Sequence, residues 1–118
     1  MSAPNVSFVP ADILSRLATI KPYVLVVLFK GENYDHPDTP RIRQSEHLPH
    51  IFRQRDQGIM VLTMPVNDST SRMAAIAIYS GISKEDVIKY TREDPAVKAG
   101  IFTYEVVTSM GLPGDTLS

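Results

Sequence analysis

Tyr23-Val24-Leu25-Val26-Val27-Leu28-Phe29 is aromatic or aliphatic at every position and rich in β-branched residues. That is the pattern of a strand in the interior of a sheet, with apolar residues offered to both faces. It is also the longest apolar run, and it is far too short to span a bilayer. Upstream, Ile13, Leu14, Leu17, Ala18 and Ile20 recur at roughly helical spacing between Pro10 and Lys21, which predicts a short amphipathic helix with Pro10 in its first turn. The expected organisation is an N-terminal extension over residues 1–21 and one domain over residues 22–118.

Downstream, the polar stretch Gly31 to Thr39 reads as an exposed loop at the end of that strand. Thr39-Pro40 then forms a cap and first-turn pair for a helix running to Gln57, where Gly58 is placed to end it. Pro49 interrupts this pattern by deleting a backbone donor and crowding the carbonyl of Ser45, so the helix either kinks or begins its regular part nearer Ser45. Leu48, Ile51 and Phe52 are the expected core-facing stripe. Ile59 to Met64 and Arg72 to Tyr79 read as a hairpin of two strands, with Ala74, Ala75 and Ala77 marking close packing. Ser83 with Asp86 three residues on opens a second helix. Asp94-Pro95 caps a short turn that Gly100 ends, and Ile101 to Val107 is the last strand, apolar through Phe102, Tyr104 and Val106 on one side only.

The order is strand, helix, strand, strand, helix, strand, preceded by an extra helix. That is an α+β, ferredoxin-like βαββαβ domain. Two helices cover one face of such a sheet, so the second face needs other cover, and a second copy of the chain is the simplest. A 118-residue chain gains from such a partner, because a small domain leaves much of its apolar surface exposed.

Twelve Lys and Arg against thirteen Asp and Glu leave a net charge of −1 with no basic run, which argues against nucleic acid as a partner. The absence of cysteine removes disulfides, thiolate metal sites and cysteine nucleophiles, and makes the cytoplasm the expected location. Met1 to Pro10 lacks the cationic start and apolar stretch of a signal peptide, so no membrane role is expected.

With no phosphate loop, nucleophile elbow or helical metal-ligand pair, the candidate chemistry falls to the three histidines. His36 stands beside Asp35 and Asp38 in the polar loop, but three loop groups without a spaced fourth ligand read better as solvated surface than as a metal site. His47 and His50 lie three apart on the predicted helix, with Arg43 one turn before His47. Both imidazoles have a structural alternative at the edge of the core. Asp94 likewise has one as the cap of the turn at Pro95.

Ser45-Glu46-His47-Leu48, Gly58-Ile59-Met60-Val61-Leu62-Thr63 and Glu93-Asp94-Pro95-Ala96-Val97-Lys98-Ala99-Gly100-Ile101 together resemble motifs of the YCII-related family, over about Tyr23 to Val107. In that family a His-Leu pair opens the first helix, a glycine begins the second strand, and an Asp-Pro segment ending in Ala-Gly leads into the last strand. Two positions depart from it: Met64-Pro65 stands where Gly-Pro is common, and Pro49 stands two residues after the motif histidine, usually the place of a good helix former.

The resemblance implies a dimeric α/β barrel with a histidine and an aspartate as an acid/base pair, which by position are His47 and Asp94. It implies lyase or isomerase chemistry. One member is a dehydrochlorinase that removes chloride from a chlorinated hydroxyhydroquinone, and the similar barrel of muconolactone isomerase moves protons on a related ring. The expected enzyme uses His47 as base, Asp94 to fix its tautomer and Arg43 to hold a substrate carboxylate or phenolate, with no cofactor or metal required. The competing reading is a non-catalytic module that binds a small ligand on the same barrel; a cofactor-free or haem-using monooxygenase is a third.

Overall fold

The computed structural model describes residues 9–118, so the first eight residues of the N-terminal extension lie outside the described residues. The elements are α1 (Ala11–Leu17), β1 (Lys21–Lys30), α2 (Thr39–Ile42), a π-helical segment (Arg43–His47), α3 (Leu48–Asp56), β2 (Met60–Pro65), β3 (Met73–Tyr79), α4 (Lys84–Glu93), α5 (Pro95–Lys98) and β4 (Phe102–Gly111). The strands form a four-stranded sheet in the order β2-β3-β1-β4, as a split βαβ arrangement requires.

The chain divides into two compact units, Tyr23–Ser109 and the stretch up to Pro22 with Met110–Ser118. In the latter, α1 is shorter than the apolar spacing predicts, and Pro10 is its N-cap. None of its residues is buried, and Ile13, Leu14 and Leu17, the expected packing side, are exposed in the single chain.

Within Tyr23–Ser109, β1 pairs β3 antiparallel with Val24 opposite Tyr79 and Val26 opposite Ala77. β2 pairs the other edge of β3, with Thr63 opposite the same Ala77. Opposed residues share a face, so Val24, Val26 and Leu28 form the inner row and Leu25, Val27 and Phe29 the outer. The inner row joins Met60, Ala74, Ala77, Tyr79, Val87, Ala96, Ile101 and Phe102 in one core. The small side chains of Ala74 and Ala77 leave room above the middle strands, where a cavity forms.

Local chemistry explains the punctuation. Gly58 and Gly100 take φ of 77° and 75°, the left-handed conformation that ends a helix at low cost. Ser83 Oγ accepts the Asp86 N–H at 3.1 Å. Thr39 does not act as the expected cap; it is the first residue of α2, and its hydroxyl instead donates to the Asn33 carbonyl at 2.7 Å. That bond belongs to a set tying the β1 loop to the turn before β4. Gly31 N–H donates to Ile101 O at 2.7 Å, Asn33 N–H to Gly100 O at 3.0 Å, and the Asn33 amide to Ala99 O at 2.8 Å.

The chains approach so closely there that a Cβ on Gly31 would strike the Gly100 carbonyl oxygen and lie 3.0 Å from that of Ile101. Backbone atoms cannot step aside as a side chain can. Gly31→Ala is therefore expected to destabilise the protein by roughly 1–3 kcal/mol, as overpacking does, with a lower urea midpoint. An unchanged midpoint would contradict this account of the seam.

Pro49 is accommodated close to the second of the two ways expected from the sequence: the regular helix α3 begins at Leu48, with Pro49 in its first turn. The chain stays helical through it, but the preceding turn widens into the π-helical segment, where Leu48 N–H reaches back five residues to Arg43 O. The wider turn eases the crowding between the proline ring and the Ser45 carbonyl, so the disturbance falls on the segment that carries His47.

Candidate functional site

A cavity of about 580 Å³ opens between the α2–α3 helical run and the inner face of the sheet. Val26, Leu28, Met60, Ala77 and Phe102 supply apolar wall, while Arg43, His47, Gln54, Tyr79 and Asp94 bring polar groups to it. Its size and its few convergent polar groups are those of a small-molecule site.

His47 and Asp94, 47 residues apart, meet at this wall. Nδ1 of His47 lies 2.7 Å from Oδ2 and 2.9 Å from Oδ1 of Asp94. A carboxylate only accepts, so Nδ1 carries the hydrogen and donates it, which leaves Nε2 with its lone pair in the neutral ring. Nε2 has no hydrogen-bond partner among the described residues, and the ring lines the cavity. The aspartate is 2% exposed, and its Oδ1 also accepts the Ala96 N–H at 2.9 Å. Asp94 is thus both the N-cap of α5 and the partner of the imidazole. The capping fixes the carboxylate, and the carboxylate fixes the ring.

His50 faces inward beside His47 but is used differently. Its Nε2–H donates to the Tyr90 carbonyl at 2.9 Å, a tie between α3 and α4. Gln54, one turn on, donates to the His50 carbonyl at 3.2 Å and accepts the Tyr79 hydroxyl at 2.6 Å. Burial, with the negative charge of Asp94 nearby, pushes the Tyr79 phenol well above its ordinary value, so it stays neutral and donating.

The inward face of α3 and the turn before it is therefore His47, His50 and Gln54, each under a tenth exposed. Of the expected stripe of Leu48, Ile51 and Phe52, Ile51 packs against the core and the other two do not. Leu48 and Phe52 are 44% and 53% exposed, and Ile51 is half-buried. All three border the cavity, and Ile51 also packs against the core. Hydrogen bonds to distant partners explain the exchange: among the described residues no fully buried side-chain nitrogen or oxygen lacks a partner, so this burial does not carry the usual penalty.

Arg43 reaches the cavity as well, half-buried, with its guanidinium carbon 5.7 Å from the ring centroids of both Tyr34 and Phe102. Phe102 also meets the edge of the His47 ring at 5.3 Å between centroids. His36 is exposed, its Nδ1 accepting the Asp38 N–H at 3.1 Å, and no group of three potential metal ligands stands together among the described residues. Sequence reading missed Gln54 and Tyr79 as parts of this wall. The spacing of His47, His50 and Gln54 was the available signal, since three such residues on one helical face mark a buried polar row.

No family model matches the chain, and no curated protein matches it by sequence. Several solved structures are similar in backbone, among them these two. One is the 5-chloro-2-hydroxyhydroquinone dehydrochlorinase of Burkholderia phenoliruptrix in complex with 2,5-dihydroxybenzoquinone, at 16% identity and TM-score 0.46, covering 73% of this chain and 90% of that one. The other is a protein of Agrobacterium tumefaciens at 10% identity and TM-score 0.43, covering 78% of this chain and 93% of that one. No helix among the described residues is long and apolar enough to cross a membrane.

Proposed function

We propose that the protein is a small-molecule acid/base enzyme in which neutral His47 takes a proton through Nε2 and Asp94 holds the ring in the required tautomer. The observation that carries this reading is the two-oxygen grip of Asp94 on Nδ1, with Nε2 left unpartnered in a ring that lines an apolar cavity. His50, by contrast, spends its Nε2–H on a backbone carbonyl and so ties α3 to α4, whereas the nitrogen that His47 leaves free belongs to a ring lining the cavity. The reaction class is the one the motif resemblance implies, elimination or a proton shift on a hydroxylated aromatic or quinoid compound. Positioned acid/base catalysis supplies ~10² to 10⁴ in rate, so the substrate must already be activated.

The test is a turnover screen of hydroxylated and chlorinated aromatics, following chloride release and ultraviolet spectra. His47→Ala is expected to lower the rate on any accepted substrate by ~10² or more. Ligands that bind but are never converted, by wild type or variant, would replace this reading with that of a binding module.

The assembly we propose is a dimer closed across the outer sheet face, where Leu25, Val27 and Phe29 of β1 stand in register with Ile78, Ile76 and Met73 of β3. Leu62 and Met64 of β2 extend this row. Such a continuous apolar face on so small a domain is stabilised by burial against an equivalent one. Sedimentation at micromolar concentration is expected to give a dimer, and a compact monomer throughout would refute the arrangement.

A further inference from the structure

Arg43 differs from the cation closest to it in sequence. Arg41 pairs with Asp38 at 3.7 Å and with Glu46 at 3.2 Å, at the exposed surface. Arg43 forms no ion pair, and its guanidinium donates no hydrogen bond among the described residues. Aromatic rings hold it instead. Tyr34 and Phe102 lie 6.2 Å apart between centroids, and the guanidinium sits over both. Cation–π attraction of this kind leaves the hydrogen-bond donors of the guanidinium unused. Lys30 adds a second positive charge 5.5 Å from the Tyr34 ring.

Phe102 links this cation to the imidazole, since the same ring receives the edge of His47. One side chain at the start of β4 therefore touches both the guanidinium and the imidazole. A half-buried cation without a counter-charge, beside apolar walls, is an unfavourable arrangement until an anion arrives.

We propose that the cavity takes an organic oxyanion on an apolar body, a carboxylate or a phenolate, with Arg43 gripping the anion and Tyr34 and Phe102 acting as the clamp that positions Arg43. The delivery of a neighbouring acidic position to Nε2 rests on the acid/base reading of His47; the preference for an anion does not.

The test compares each anion with its neutral counterpart, benzoate with benzamide and para-nitrophenolate with nitrobenzene, by amide chemical-shift titration of the full chain. At least one anion is expected to bind ~10-fold or more tightly than its neutral counterpart, and which one identifies the oxyanion class. Arg43→Met should abolish that preference. Arg43→Lys, which keeps the charge without the planar fork, should retain only part of it, and Arg41→Met should leave it unchanged. No preference for either anion in wild type overturns the proposal, as does a preference that survives Arg43→Met. If Arg43→Met does not fold, an undiminished preference in Arg43→Lys has the same force. His47→Gln should keep the preference, so a failure of the acid/base chemistry and a failure of the clamp give different results.

Discussion

Asp94→Asn is expected to lower turnover by ~10² to 10⁴ while leaving the fold in place. Asparagine matches aspartate in shape and is an equally good N-cap, so its carbonyl oxygen can keep the Ala96 N–H now held at 2.9 Å. The amide nitrogen then falls where Oδ2 stands, 2.7 Å from His47 Nδ1. An amide nitrogen donates, so the 2.7 Å contact favours Nδ1 as acceptor with the ring hydrogen on Nε2, over the alternative in which Nδ1–H faces that donor and keeps only the oxygen at 2.9 Å. The atom meant to take the proton is then occupied. Nitrogen NMR of the imidazole should report the change of tautomer directly, beside steady-state rates and a urea midpoint. Asp94→Ala removes the cap as well and leaves the buried Nδ1–H unsatisfied, which should cost roughly 1–3 kcal/mol of stability in addition to activity. Full turnover by Asp94→Asn with the wild-type tautomer would reduce Asp94 to a cap.

The parts of the fold written in local chemistry were legible in the sequence. The doubly apolar run at Tyr23–Phe29 places β1 inside the sheet, as its position between β3 and β4 requires. Ser83, Asp94-Pro95, Gly58 and Gly100 each act through a bond or a backbone angle within a few residues, and each lies where its residue type suggests. The inward face of α3 was misread because hydropathy ranks Leu48 and Phe52 above His50 and Gln54. Burial there is decided by partners dozens of residues away: Asp94 for His47, the Tyr90 carbonyl for His50 and the Tyr79 hydroxyl for Gln54. No local pattern encodes those pairings. Motif resemblance singled out His47 and Asp94, and the fold brings them to one wall, while the aromatic setting of Arg43 depends on Tyr34 and Phe102 from two other segments.

Gln54→Leu is expected to destabilise the protein by roughly 1–3 kcal/mol, more than a lost hydrogen bond alone would suggest. Leucine fits the space, but the Tyr79 hydroxyl would lose its 2.6 Å acceptor while the ring stays 3% exposed. The penalty is that of an orphaned buried donor. Tyr79→Phe removes the donor itself and leaves Gln54 Oε1 without it, so it should also cost stability. The double variant should cost less than the two single changes summed, because neither orphan then remains. The same phenol gives the pair a signature in alkali. Burial first, and the negative charge of Asp94 second, raise its pKa above the ordinary value of 10.0. In the window above that value the unfolded chain has lost a proton the folded chain still holds, so stability falls as pH rises. The contribution is fully present below pH 10.0, and Tyr79→Phe has no phenol at this position to lose. Urea midpoints of wild type and Tyr79→Phe should therefore converge as the solution is made alkaline. Curves that stay parallel across that window would mean that the phenol is not held neutral by its surroundings, and the polar floor assigned to Gln54 and Tyr79 would have to be redrawn.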